Sequence, residues 1–84
     1  MSFDTDNLAN LPHGESAEIH SMADDFAHRD RFLELGFTSG APVQVLRKAL
    51  FGDPIVIQVR GSRFALRKVD AQNITVKKSK KPSK

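Results

Sequence analysis

Apolar and polar residues alternate with a period of two over several short stretches, and a glycine closes most of them. From Glu15 to Met22, Ala17, Ile19 and Ser21 share one face and Glu18, His20 and Met22 the other, which predicts a first strand. The period then lengthens. Phe26 and Leu33 lie seven apart, and Phe32 and Leu35 widen the same stripe, so a helix is predicted from about Phe26 to Leu35. Asp24 or Asp25 can cap its start, because a short carboxylate accepts from the free N–H groups of the first turn. Gly36 stands at the usual left-handed cap position, with Phe37 placed to fold back on the last turn.

Alternation returns after Ser39-Gly40. Val43 and Val45 open a strand that runs to Ala49, and Phe51-Gly52-Asp53-Pro54 forms a hairpin loop. Ile55, Ile57 and Val59 then face one way, and Val56, Gln58 and Arg60 the other. Gly61-Ser62 makes a second tight turn before Phe64 and Leu66. Lys68 to Asn73 spans one helical turn, and Ile74-Thr75-Val76 is the closing strand. Five short strands with β-branched cores predict a mainly β fold. The expected architecture is a small SH3-like β-barrel, with a helical insertion after the first strand and a helical turn before the last. Closure would remove the exposed strand edges. Residues 1–12 read as a loose N-terminal lead-in, with Leu8, Leu11 and Pro12 against the barrel edge. Residues 13–76 read as the barrel domain, and residues 77–84 as a disordered lysine-rich tail.

At 84 residues the chain is expected to be one domain. It has no cysteine, so neither a disulfide nor a thiolate metal site staples it, as suits a reducing compartment. No apolar run approaches the roughly 20 residues that span a bilayer. Residues 1–10 are acidic and polar, unlike a secretory signal, so the expected location is cytoplasmic. The net charge is +3, but residues 77–84 hold five lysines and no acid, so residues 1–76 carry −2. The body is therefore mildly acidic, which argues against a surface built to grip nucleic acid.

Candidate chemistry is sparse. The chain has no Gly-x-x-x-x-Gly-Lys-[Ser/Thr] loop and no recognisable nucleophile, base and orienting group, so an enzyme is not expected. No cofactor is expected either. His28 with Asp24 and Asp25 forms a candidate ferrous iron or zinc set, since imidazole and carboxylate suit those ions; the plainer reading is solvated or capping side chains. The loop Leu50-Phe51-Gly52-Asp53-Pro54 places two apolar residues side by side. At least one should face water and anchor a partner, unless both fold back over the barrel mouth. Arg63 and Arg67 share a strand face that Arg47 can join across the sheet, either to steer the domain to an acidic partner or as an ordinary solvated face. The tail reads as a solubilising segment, with contact to anionic lipid or to nucleic acid as alternatives.

Residues 13–76 resemble the FeoA family, small cytoplasmic accessory proteins of bacterial ferrous iron uptake. The resemblance rests on Leu33-Glu34-Leu35-Gly36-Phe37, Gly40, Val43-x-Val45, Gly52-Asp53-Pro54-Ile55, Arg60-Gly61, Ala65-Leu66-Arg67 and the closure from Ala71 to Val76, in that order. It implies an SH3-like barrel, similar also to the C-terminal domain of iron-dependent repressors. It further implies a non-enzymatic partner of the FeoB permease that docks on its cytoplasmic nucleotide-binding domain and modulates transport, cytoplasmic or peripheral at the inner face of the membrane. Leu50, Phe51, Asp53, Arg47, Arg63 and Arg67 are the candidate contacts. Two other readings stand beside it: a small nucleic-acid-binding barrel, and a metal sensor or chaperone using His28 and the nearby acids.

Overall fold

The computed structural model describes residues 3–79. Its elements are β1 (Phe3–Asn7), a 3-10 turn (Leu8–Asn10), β2 (Ser16–Met22), α1 (Arg29–Glu34), β3 (Pro42–Lys48), a second 3-10 turn (Leu50–Gly52), β4 (Ile55–Val59), β5 (Ser62–Leu66), α2 (Lys68–Ala71) and β6 (Ile74–Ser79). The strands form one antiparallel sheet in the order β1-β6-β2-β3-β4-β5. The mainly β architecture and the two helical segments are as the alternation predicts. The ladder is not closed, however: β1 and β5 are its two edges.

Several further expectations change. The lead-in is a strand, because β1 pairs with β6 from Phe3↔Ser79 to Asn7↔Thr75. Behind it Leu8 and Leu11 are fully buried and anchor the segment in the core. Asp6 shapes the exit from β1, since its Oδ1 accepts from the Asn7 N–H at 2.8 Å and from Asn10 Nδ2 at 2.9 Å. Pairing with β1 also prolongs the closing strand, so Lys77 and Lys78, expected in the tail, lie in β6. Residues 80–84 of the expected tail lie outside the described residues.

The third change is in β2. Its register shifts between Ile19 and Ser21 where it pairs with β6. The extra residue turns the strand, so Ile19 and Met22 are both buried despite their odd spacing. In β4 the simple alternation holds, with Ile55, Ile57 and Val59 at 1% exposure or less. These residues, with Val43, Val45, Ile74 and Val76, make the floor of the core.

α1 is shorter than its apolar stripe suggests. Residues 23–28 form two consecutive turns, with the N–H of Phe26 donating to Ala23 O and that of Arg29 to Phe26 O, each at 3.1 Å. His28 therefore holds the cap position, without a side-chain capping bond, and neither Asp24 nor Asp25 caps the helix. The other end follows the expected pattern. The N–H of Phe37 donates to Phe32 O at 3.0 Å and that of Gly36 to Leu33 O at 3.1 Å, the paired bonds of a Schellman cap. Gly36 takes φ of +105°, and the Phe37 and Phe32 rings meet with centroids 4.9 Å apart. Phe26 extends this aromatic row at one end and Phe64 of β5 at the other.

Candidate interaction surface

The β3–β4 connection projects from one end of the sheet. Three backbone bonds tie it: Ala49 N–H to Pro54 O at 3.0 Å, Gly52 N–H to Ala49 O at 2.8 Å, and Asp53 N–H to Leu50 O at 3.3 Å. The chain turns through two consecutive left-handed residues, Phe51 at φ of +61° and Gly52 at +76°. The conformation suits Gly52 and is uncommon for an aromatic residue. It holds Leu50 and Phe51 outward, at 77% and 88% exposure. Neither folds back over the sheet, so that alternative from the sequence falls.

Asp53 braces the loop. Its Oδ1 accepts from the backbone N–H of Lys68 at 3.0 Å, joining the hairpin tip to the first residue of α2. A short carboxylate there satisfies a donor that the helix itself leaves free. Sequence reasoning placed Asp53 at the tip but missed this long-range bond. Val69, on the following turn, is 54% exposed and adds an apolar residue that the sequence analysis did not select.

The sheet register collects the basic residues. Arg47 opposes Val56, and Val56 opposes Ala65. Arg63 lies two residues before Ala65 and Arg67 two residues after it, so the three arginines share the outer face of β3, β4 and β5. All three are exposed, and none of their side chains makes a hydrogen bond or ion pair among the described residues. Two other cations serve the fold. Lys48 Nζ donates to Ala9 O at 2.9 Å. Arg60 Nε donates to Gly36 O at 3.1 Å and its Nη2 to Thr38 Oγ1 at 2.8 Å, fastening the β4–β5 turn to the cap of α1.

The metal candidates do not converge. His28, Asp24 and Asp25 are exposed, and His28 lies edge-on to the Phe26 ring at 5.7 Å. Among the described residues no three His, Cys, Asp or Glu side chains gather as a metal site. The one resolved carboxyl shift is at Asp6, held below the ordinary aspartate value of 3.8 by the Asn10 side chain first and the Asn7 N–H second. No helix among the described residues is long and apolar enough to cross a membrane.

A six-stranded antiparallel sheet with two short helices and a braced apolar tip belongs to the class of small, mainly β domains. More specifically, the chain belongs to the FeoA family, since the FeoA domain profile matches residues 7–78. A FeoA protein from Chlorobium tepidum is 40% identical, with 83% of this chain and 67% of that one covered and a TM-score of 0.76. A zinc-complexed FeoA from Stenotrophomonas maltophilia, described as a procaryotic SH3 domain protein, is 36% identical; 83% of this chain and 87% of that one are covered, with a TM-score of 0.73. A manganese-dependent transcriptional repressor shares the fold at 18% identity and a TM-score of 0.82, with 94% of this chain and 44% of that one covered. No curated protein is significantly similar to the chain. The SH3-like fold expected from the strand pattern is therefore established.

Proposed function

We propose that this chain is a non-enzymatic accessory protein of ferrous iron uptake, acting in the cytoplasm. It docks on the cytoplasmic nucleotide-binding domain of a FeoB permease and modulates transport. The observation that carries this reading is the outward Leu50–Phe51 tip, held by its own backbone bonds and by Asp53. A rigid exposed aromatic loses little conformational freedom on binding, and such residues dominate interface energetics. Arg47, Arg63 and Arg67 lie on the adjoining sheet face and steer the tip toward an acidic surface. Family membership links the reading to iron, and the Stenotrophomonas relative is itself proposed as a ferrous iron transport activating factor.

Modulation requires that the module bind one conformation of the permease better than another. The test is titration of the purified chain against that nucleotide-binding domain, without nucleotide, with GDP and with a non-hydrolysable GTP analogue. Saturable binding that differs between nucleotide states supports modulation through that domain. Absence of binding in all three states removes the reading.

A further inference from the structure

The open edge of β5 offers a second surface, distinct from the Leu50–Phe51 tip. β4 and β5 are joined by the two-residue turn Arg60-Gly61, with φ of +50° and +82°, as a type I′ hairpin requires. Such a turn closes on a hydrogen-bonded pair, here Val59 and Ser62. Bonded and non-bonded pairs alternate along an antiparallel ladder. Ile57/Phe64 and Ile55/Leu66 are then the bonded pairs, while Gln58/Arg63 and Val56/Ala65 are not. The peptide groups of Arg63 and Ala65 consequently point away from β4, toward the sheet edge. Neither takes part in any backbone bond outside the ladders among the described residues. The edge row ends at Arg67, whose carbonyl accepts from the N–H of Asp70 at 3.0 Å and of Ala71 at 3.1 Å.

Side chains along this edge define what fits it. Arg63, Ala65 and Arg67 are exposed on the outer face, so a strand laid beside β5 would meet two cations separated by one small residue. On the inner face Phe64 is only partly buried, its ring 5.2 Å from Phe37. A neighbouring strand there would place an apolar side chain against Phe64. Edge strands are templates for added strands, whose main-chain bonds supply affinity and whose alternate side chains supply specificity.

We propose that the β5 edge binds an extended segment of a partner protein in which acidic and apolar residues alternate, the acids facing Arg63 and Arg67 and the apolar residues covering Phe64. The partner's backbone pairs with the N–H and C=O groups of Arg63 and Ala65. This surface shares Arg63 and Arg67 with the steering face but does not use the Leu50–Phe51 tip, and its test needs no permease.

The probe is an N-acetylated hexapeptide of alternating glutamate and valine, compared with its lysine–valine counterpart. Both are titrated into the isotope-labelled full chain and followed by amide chemical shifts and hydrogen exchange. The expected result is binding of the acidic peptide only, with Arg63 and Ala65 amides shifted and newly protected. Ala65→Pro removes an outward donor without touching a ladder bond and should abolish that binding. Arg63→Glu combined with Arg67→Glu changes only exposed side chains and should weaken the acidic peptide by about tenfold or more while admitting the lysine peptide. The proposal is overturned if the acidic peptide does not bind, or shifts only residues at the tip. It is equally overturned if both folded variants bind the acidic peptide as the wild type does.

Discussion

Two hairpin turns contain the only non-glycine residues at positive φ among the described residues, Phe51 at +61° and Arg60 at +50°. Each carries a backbone conformation that costs an L-residue on the order of 1 kcal/mol. At Arg60 the fold recovers that cost. The guanidinium makes two hydrogen bonds, to Gly36 O and Thr38 Oγ1, and so clamps the β4–β5 turn on the cap of α1. At Phe51 it does not, because the ring stands in solvent with 88% of its surface exposed. The same backbone state is thus fastened by side-chain hydrogen bonds in one turn and leaves an aromatic ring in solvent in the other. Strain that the fold leaves uncompensated points to a role outside the fold.

The contrast breaks most visibly between two phenylalanines. Phe37→Ala empties a site at 1% exposure in the aromatic row, and should cost about 3–5 kcal/mol in urea unfolding. Phe51→Ala should leave the unfolding midpoint nearly unchanged, within about 0.5 kcal/mol. If Phe51→Ala destabilised the chain as much as Phe37→Ala, the tip would be part of the core and the contrast would vanish.

Arg60→Ala sharpens the other side. It keeps the left-handed backbone and removes both hydrogen bonds, so a loss of about 1–2 kcal/mol is expected. Gly36→Ala tests the same clamp from below. A Cβ at Gly36 would stand 3.0 Å from Arg60 Cδ, on a backbone at φ of +105°, so destabilisation of about 1–2 kcal/mol is expected. Combining Gly36→Ala with Arg60→Ala should give a total below the sum of the single effects, since each disturbs the same contact.

The smallest effect concerns Asp6. Its folded pKa is below 3.8, so its contribution is fully present above the unfolded value and disappears as pH falls through the folded one. Acid unfolding of Asp6→Asn should therefore diverge from wild type at neutral pH and converge with it as pH falls below the ordinary aspartate value of 3.8 and through the lowered folded one. A constant difference across that range would show that the carboxylate's charge is not what matters.

Much of this was legible from residue order because it is local. Alternation at Ile55, Ile57 and Val59 needs only a strand to express it, and Gly36 with Phe37 encodes a cap within one turn. The missed features depend on residues far apart in sequence. Nothing near Phe3–Asn7 shows that β6 will accept it as a neighbour. The His20 region contains no glycine or proline to signal a bulge, yet the bulge decides that Met22 is buried. The clamp joins Arg60 to a cap 24 residues earlier, and the Asp53 brace reaches 15 residues forward to Lys68. At the tip, adjacent Leu50 and Phe51 left two orientations open; the backbone angle at Phe51 selects the outward one. Nearness in sequence at Asp24, Asp25 and His28 likewise does not gather their side chains into a three-ligand group among the described residues.

The central claim is that Phe51 is presented for a partner and Arg60 for the fold. The direct measurement titrates wild type, Phe51→Ala and Arg60→Ala against the cytoplasmic nucleotide-binding domain of the cognate FeoB permease, with an unfolding curve taken on each sample. The expected result is a Phe51→Ala chain as stable as wild type that binds at least about tenfold more weakly, and an Arg60→Ala chain that is less stable yet binds with wild-type affinity wherever it is folded. Unchanged binding by a fully folded Phe51→Ala chain would contradict the claim.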